Sequence, residues 1–294
     1  MNLSLADQLA AYPLLYAETP PGRIAYRRSG DSPASGPASR SQSRSGTGSA
    51  GSLPPLVLLH GIGSASASWL RQLDNLSSQS TVLAWNAPGY SESAPLPMDS
   101  PAAADYATRM WAWLDALGIG KITLAGHSLG ALMAGAATRI APQRVERLFL
   151  FSPAGGYGNA EASVRATKLQ ERLTNLDTLG PRGMAEKRGA AMLSSTASAD
   201  EIAFIKSVMA EIDPAGYTQA VRMLMHGDLA ADLALVNCPV IVASGSADTI
   251  TPPAACQAVA AAACTPWIDL GPVGHACPLE AAATINRLLR GGGA

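Results

Sequence analysis

The stretch LAGHSLGALMAG, residues 124–135, constrains this chain more than any other. An apolar run ends in Gly126-His127-Ser128-Leu129-Gly130, and apolar residues at helical spacing follow. The Gly-x-Ser-x-Gly spacing lets a strand turn abruptly into a helix, because a side chain at either glycine would collide as the backbone folds back. Such a turn lifts the serine hydroxyl clear of the sheet edge. The stretch therefore predicts a strand feeding directly into a helix, with Ser128 at the junction.

The flanking segments repeat that pattern. GRIAYRRSG (22–30), LPPLVLLHG (53–61) and STVLAWN (80–86) read as strands. Residues 100–118 read as a helix that Ser100 caps, Pro101 opens and Gly118 ends, with Tyr106, Met110, Trp113, Leu114 and Leu117 on one face. KITLAG (121–126) and RVERLFLFSP (144–153) are further strands around the helix that begins at Leu129. The alternation lapses over residues 154–234, which hold helical stretches (161–176, 198–212, 214–225) and no convincing strand. It resumes with CPVIVASG (238–245), an Ala-rich helix after Pro252-Pro253, TPWIDLG (265–271) and a final helix over 278–290. The expected fold is α/β: a mostly parallel sheet with helices on both faces. Residues 1–153 and 235–294 would form its core, and 154–234 a helical cap over one end of the sheet. Residues 31–52, built almost wholly from Ser, Gly, Ala, Pro, Arg and Gln, read as a flexible loop within that core.

Composition removes several function classes. The formal net charge is −1 and no basic run alternates with aromatics, so nucleic acid and anionic membranes are not expected partners. No run reaches the roughly 18–20 apolar residues that span a bilayer. The first residues lack a basic region, carry Asp7 and are broken by Pro13, which is unlike a signal peptide. The four cysteines, Cys238, Cys256, Cys264 and Cys277, have neither metal-site spacing nor the density of a disulfide scaffold. They suit idle thiols in a reducing cytoplasm, with Cys277 distinguished only by following His275 at two residues. No cofactor or metal is expected, the partner is a small-molecule substrate, and nothing sets an oligomeric state.

Serine becomes a nucleophile only beside a base, and that base needs an acid to fix its tautomer. Of four histidines, His127 adjoins Ser128 in the tight turn and is expected to point away from it. His60 ends a strand and suits bracing a loop, and His226 lies at the end of a cap helix. His275, in the Gly-flanked loop after the last strand, is the best base. Asp248 follows a strong apolar strand and is the best acid. Asp269, within the last strand, is its main rival, while Asp228 and Asp232 suit surface charges. The order Ser128, Asp248, His275 is the one the strand–serine–helix architecture requires. Oxyanion donors are expected from the backbone N–H of Leu129 and, after the strand ending at His60-Gly61, that of Ile62.

LLHGIG, NAPGYSES, GHSLGA, GSADTITPP and GHACPLE resemble, in order, the motif set of the α/β-hydrolase fold family. The resemblance spans nearly the whole chain outside residues 31–52 and implies a serine hydrolase. Asn86 and Ser91 depart from that family's usual Asp and second Gly in the NAPGYSES loop. A serine at the turn, where epoxide- and halide-processing relatives carry aspartate, argues against both those activities. Residues 216–242 are similar to the cap and return strand of 3-oxoadipate enol-lactonase-like hydrolases, which implies a small ester or lactone. Carbon–carbon hydrolysis of ring-cleavage diketones is the alternative. Ala276 weakens it, since those relatives usually have Trp after the catalytic His. A cofactor-free haloperoxidase-like enzyme and a non-catalytic receptor on the same fold are further alternatives. Trp69, Met133 and Tyr157 could line a pocket or belong to the core. Arg165, Arg172, Arg182, Arg188 and Arg222 could anchor a substrate carboxylate or lie on a solvated helix face.

Overall fold

In the computed structural model, which describes residues 3–30 and 53–291, eight strands form one sheet in the order β1-β2-β4-β3-β5-β6-β7-β8. The strands are β1 (Leu15–Ala17), β2 (Ile24–Ser29), β3 (Leu56–Leu59), β4 (Val82–Trp85), β5 (Ile122–His127), β6 (Val145–Phe151), β7 (Val240–Ser244) and β8 (Trp267–Asp269). Strand β2 is antiparallel to β1 and β4, and every other neighbouring pair is parallel. The Ser/Gly-rich segment 31–52 lies outside the described residues.

Alternation along the strands divides the core into two layers. Val57, Leu59, Leu83, Trp85, Leu124, Leu148 and Leu150 point to one face. There they meet Met110, Trp113 and Leu114 of α3 (Ala103–Ala116) and Leu132, Met133 and Ala136 of α4 (Leu129–Ile140). Leu56, Leu58, Val82, Ala84, Phe149 and Phe151 point to the other, against Leu73 and Leu76 of α2 (Leu70–Leu76) and Ile285 and Leu288 of α11 (Ala282–Leu289). Both faces are therefore covered, which explains why the parallel strands read as unbroken apolar runs. A buried side chain of this size contributes roughly 1.5–3 kcal/mol. These layers, and not the surface ion pairs, hold the sheet.

Between β6 and β7 come only helices: α5 (Ala162–Arg188), α6 (Ala199–Ala210), α7 (Pro214–His226) and α8 (Leu229–Leu233). Helix α9 (Pro253–Ala262) follows β7, and α10 (Cys277–Glu280) precedes α11. Some local details differ from expectation. Helix α3 starts at Ala103, not after Ser100, because the Asp105 carboxylate accepts the Ala102 N–H at 2.7 Å and closes the first turn there. The last helix is two helices, broken at Ala281 (φ −105°, ψ 28°). Helix α1 (Leu5–Leu9), β1 and α2 were not legible as elements, being too short to show a full period.

Candidate active site

Parallel strands deliver their carboxyl ends to one edge of the sheet, where ligands of open α/β sheets bind. Here β5 delivers Ser128, β3 delivers the His60-Gly61-Ile62 loop, β7 leads to Asp248 and β8 to His275. The Gly-x-Ser-x-Gly turn is tight. A Cβ on Gly126 would lie 2.5 Å from the Gly130 carbonyl oxygen, and one on Gly130 would run into the carbonyl of Leu59. Ser128 is held at φ 54°, ψ −117°, a conformation that costs a non-glycine residue about 1–3 kcal/mol. Its N–H donates to the Phe151 carbonyl at 3.0 Å, and its own carbonyl accepts the Ala154 N–H at 3.0 Å, so the surrounding backbone sustains that geometry.

Asp248 and His275 are brought together, with Nδ1 of His275 2.9 Å from Oδ2 of Asp248 and both residues buried. The other carboxylate oxygen accepts the backbone N–H groups of Ile250 and Thr251 at 2.8 and 2.9 Å. Thr251 adds its hydroxyl, 2.9 Å from Oδ2, 3.0 Å from the Ser152 carbonyl and 3.2 Å from His275 Nδ1. Burial pushes the Asp248 carboxyl up, but the hydrogen bond and charge of His275, with the Thr251 donors, outweigh it and hold the group at about 2. An ionised Asp248 obliges the neutral imidazole to carry its proton on Nδ1, leaving Nε2 basic.

The other histidines have separate duties. His60 accepts the Ala87 N–H on Nε2 at 3.0 Å, so its Nδ1–H donates to the Gly61 carbonyl at 2.8 Å. Burial lowers its pKa to about 4. His127 does not simply point away. Its Nε2–H donates to the His275 carbonyl at 2.8 Å, and the two rings lie 4.9 Å apart. Burial, then the neighbouring His275, lowers its pKa to about 3. His226 is exposed. Asp269, the rival acid, is exposed and accepts the Gly271 N–H at 2.8 Å, a local turn contact. Asp232 pairs with Arg139 at 2.6 Å. Cys277 is buried with its sulfur 3.4 Å from Ser152 Oγ, and burial pushes its thiol up, away from the reactive thiolate.

Ser128, His275, Ile62 and Leu129 line one cavity of about 560 Å³. Among the described residues, the N–H groups of Ile62 and Leu129 donate to no protein acceptor. Leu129 also opens α4, whose N-terminal end favours negative charge. Tyr157 lines the cavity, whereas Trp69 and Met133 are buried in the core. Ser91 adopts φ 50°, the left-handed conformation that the missing glycine would take, and Asn86 Oδ1 accepts the Ser66 N–H at 2.8 Å. Ser91 thus takes the conformation of the missing glycine, whereas the Asn86 amide nitrogen is buried without a partner among the described residues. Sequence reasoning did not find His127 or Thr251 as supports of His275. For Thr251 the signal was present, since Asp-x-x-Thr is a spacing at which an aspartate and a hydroxyl residue meet in one turn. Among the described residues, no three His, Cys, Asp or Glu side chains are grouped to hold a metal ion.

Residues 54–281 match the alpha/beta hydrolase fold family. The chain belongs to that family. It is an α/β-hydrolase enzyme. This α/β-hydrolase is 27% identical over 201 residues to (E)-2-((N-methylformamido)methylene)succinate hydrolase of Acinetobacter baylyi, covering 66% of this chain and 72% of that protein. It shares its fold with the enol-lactonase from Burkholderia xenovorans (TM-score 0.77, 21% identity, 94% of this chain and 98% of that one). A thermophilic esterase from Thermogutta terrifontis is similar to the same degree (TM-score 0.76, 22% identity, 95% and 97%). Among the described residues, no helix is long and apolar enough to cross a membrane.

Proposed function

We propose that this α/β-hydrolase cleaves a carboxylic ester or lactone through a Ser128-His275-Asp248 triad and an acyl-enzyme. The observation that carries the reading is the buried Asp248–His275 hydrogen bond at 2.9 Å, whose histidine shares a cavity with the strained Ser128 turn. In this reading Nε2 of His275 takes the Ser128 proton as Oγ attacks the acyl carbon. The N–H groups of Ile62 and Leu129 receive the oxyanion, each supplying roughly 10²–10³ in rate. Collapse expels the alkoxide or enolate, which takes the proton back from His275. Water, deprotonated by the same nitrogen, then releases the acid. Asp248 stays ionised throughout, orienting the imidazole and stabilising its charged form. Residues 154–234 act as the cap that encloses the acyl group. Relatives named as an enol-lactonase and an esterase support this bond class.

The test is a panel of esters, lactones and ring-cleavage diketones with purified protein and Ser128→Ala. An ester or lactone should turn over at least about tenfold faster in kcat/KM than any diketone, and Ser128→Ala should lose roughly 10⁴–10⁶ in kcat. A diketone consumed fastest would replace this reading with carbon–carbon hydrolysis. Full activity in Ser128→Ala would remove the triad altogether.

A further inference from the structure

The basic side chains of the segment between β6 and β7 are nearly all accounted for. Arg165 donates to the carbonyls of Gly158 and Ala160 at 3.2 and 2.6 Å, and Arg222 to that of Asp99 at 2.8 Å. Lys168 pairs with Glu171 at 2.9 Å and Lys206 with Glu186 at 2.6 Å. Arg182 is exposed to water, which serves it as a partner. Arg172 and Arg188 differ from all of these. Both are half-buried, both line the Ser128 cavity, and neither has a hydrogen-bond or ion-pair partner among the described residues.

The bend of α5 lets both line the same cavity. Gly180 breaks the helix at φ 61°, ψ 175° just before Pro181. Lys187 Nζ then comes within 3.4 Å of Asn175 Oδ1. In an unbroken helix those residues would stand roughly 18 Å apart along the axis, beyond the reach of their side chains. The second half of α5 is therefore turned back beside the first. Arg188, next to Lys187, and Arg172, about one turn before Asn175, meet the cavity from the two arms of that bend. Asp228 also lines the cavity but pairs with neither arginine; its carboxylate oxygens accept the Ala231 N–H at 3.1 Å and the Asn159 amide at 2.6 Å. Much of the remaining wall is apolar, including Met184, Met209, Leu224 and Val259.

Two guanidinium groups that line one largely apolar cavity, with no acidic side chain paired to either, favour an anion there, and a carboxylate suits their planar fork. We infer that Arg172 and Arg188 are specificity-determining residues that bind a carboxylate carried by the substrate, beyond the scissile bond, on an apolar acyl or leaving group. The inference rests on the hydrolase reading for its chemistry, but the anion site itself does not depend on turnover.

The experiment pairs esters that differ only in that charge: the mono-para-nitrophenyl esters of adipate and suberate against the uncharged hexanoate and octanoate esters. The wild-type enzyme should prefer the charged member of at least one pair by about 10- to 100-fold in kcat/KM. Arg172→Met and Arg188→Met, which keep the apolar stem, should each collapse that ratio toward one, and the Lys variants should restore part of it. In parallel, calorimetry compares binding of hexanoate with that of its neutral amide. Hexanoate should bind more tightly, and this advantage should shrink in both Met variants. If no ester is turned over while the hexanoate advantage is present, the hydrolase reading fails and the anion site stands. An uncharged ester preferred in both pairs, a preference that survives both Met substitutions, or equal binding of acid and amide would overturn the inference.

Discussion

His127 donates its Nε2–H to the backbone carbonyl of His275 across 2.8 Å, joining the turn after β5 to the loop after β8. The residue beside the proposed nucleophile thus holds the backbone of the proposed base. His127→Phe keeps a ring and loses the donor, so kcat should fall about tenfold, the worth of one hydrogen bond in positioning. KM should change much less. His127→Gln retains an N–H donor and should recover part of the loss. Unchanged kcat in His127→Phe would show that the loop after β8 needs no such tie.

Asp248 and Thr251 should differ sharply in weight. Asp248→Asn exchanges the anion that fixes the His275 tautomer for an amide, and kcat should fall by roughly 10⁴. Thr251→Val removes one hydroxyl donor while the backbone N–H groups of Ile250 and Thr251 still hold the carboxylate, so a loss of about tenfold is expected. Steady-state kinetics of the two variants check the ordering. Equal losses would contradict it.

The buried histidines make the fold sensitive to acid. His60 and His127 have pKa values lowered from 6.5 to about 4 and about 3 by burial. Below about pH 6.5 the unfolded chain therefore binds protons that the folded chain refuses. Stability is complete above that value and declines as the pH falls. Between pH 7 and pH 5 the pair should cost roughly 4 kcal/mol. Urea unfolding at the two pH values reads this directly, and His127→Phe should lessen the difference. An unchanged midpoint would contradict it.

Much of this architecture was legible because strands and the short motifs at their ends obey local rules. The apolar runs ending at Leu59, His127 and Ser244 are largely buried with helices on both faces, so their composition announces them. Ser128 and Asp248 each follow such a run and His275 follows the short β8, which places all three at one sheet edge. What was not legible depends on contacts distant in sequence. The tie from His127 to His275 joins positions 148 residues apart. Arg172 and Arg188 could not be told from Arg165, Arg182 and Arg222, because what separates them is the turn at Gly180 and the partners each one lacks or finds. Strand β1, three residues at the sheet edge, takes its conformation from pairing with β2 more than from its own sequence.

The most direct measurement asks which atom becomes covalently bound. A serine-directed phosphonate ester incubated with the wild-type protein, followed by peptide mass spectrometry, identifies the attacking residue. A single adduct on Ser128 is expected, abolished in His275→Ala, because without that base the hydroxyl is a poor nucleophile. An adduct on Cys277, or labelling of Ser128 that proceeds equally well without His275, would contradict it.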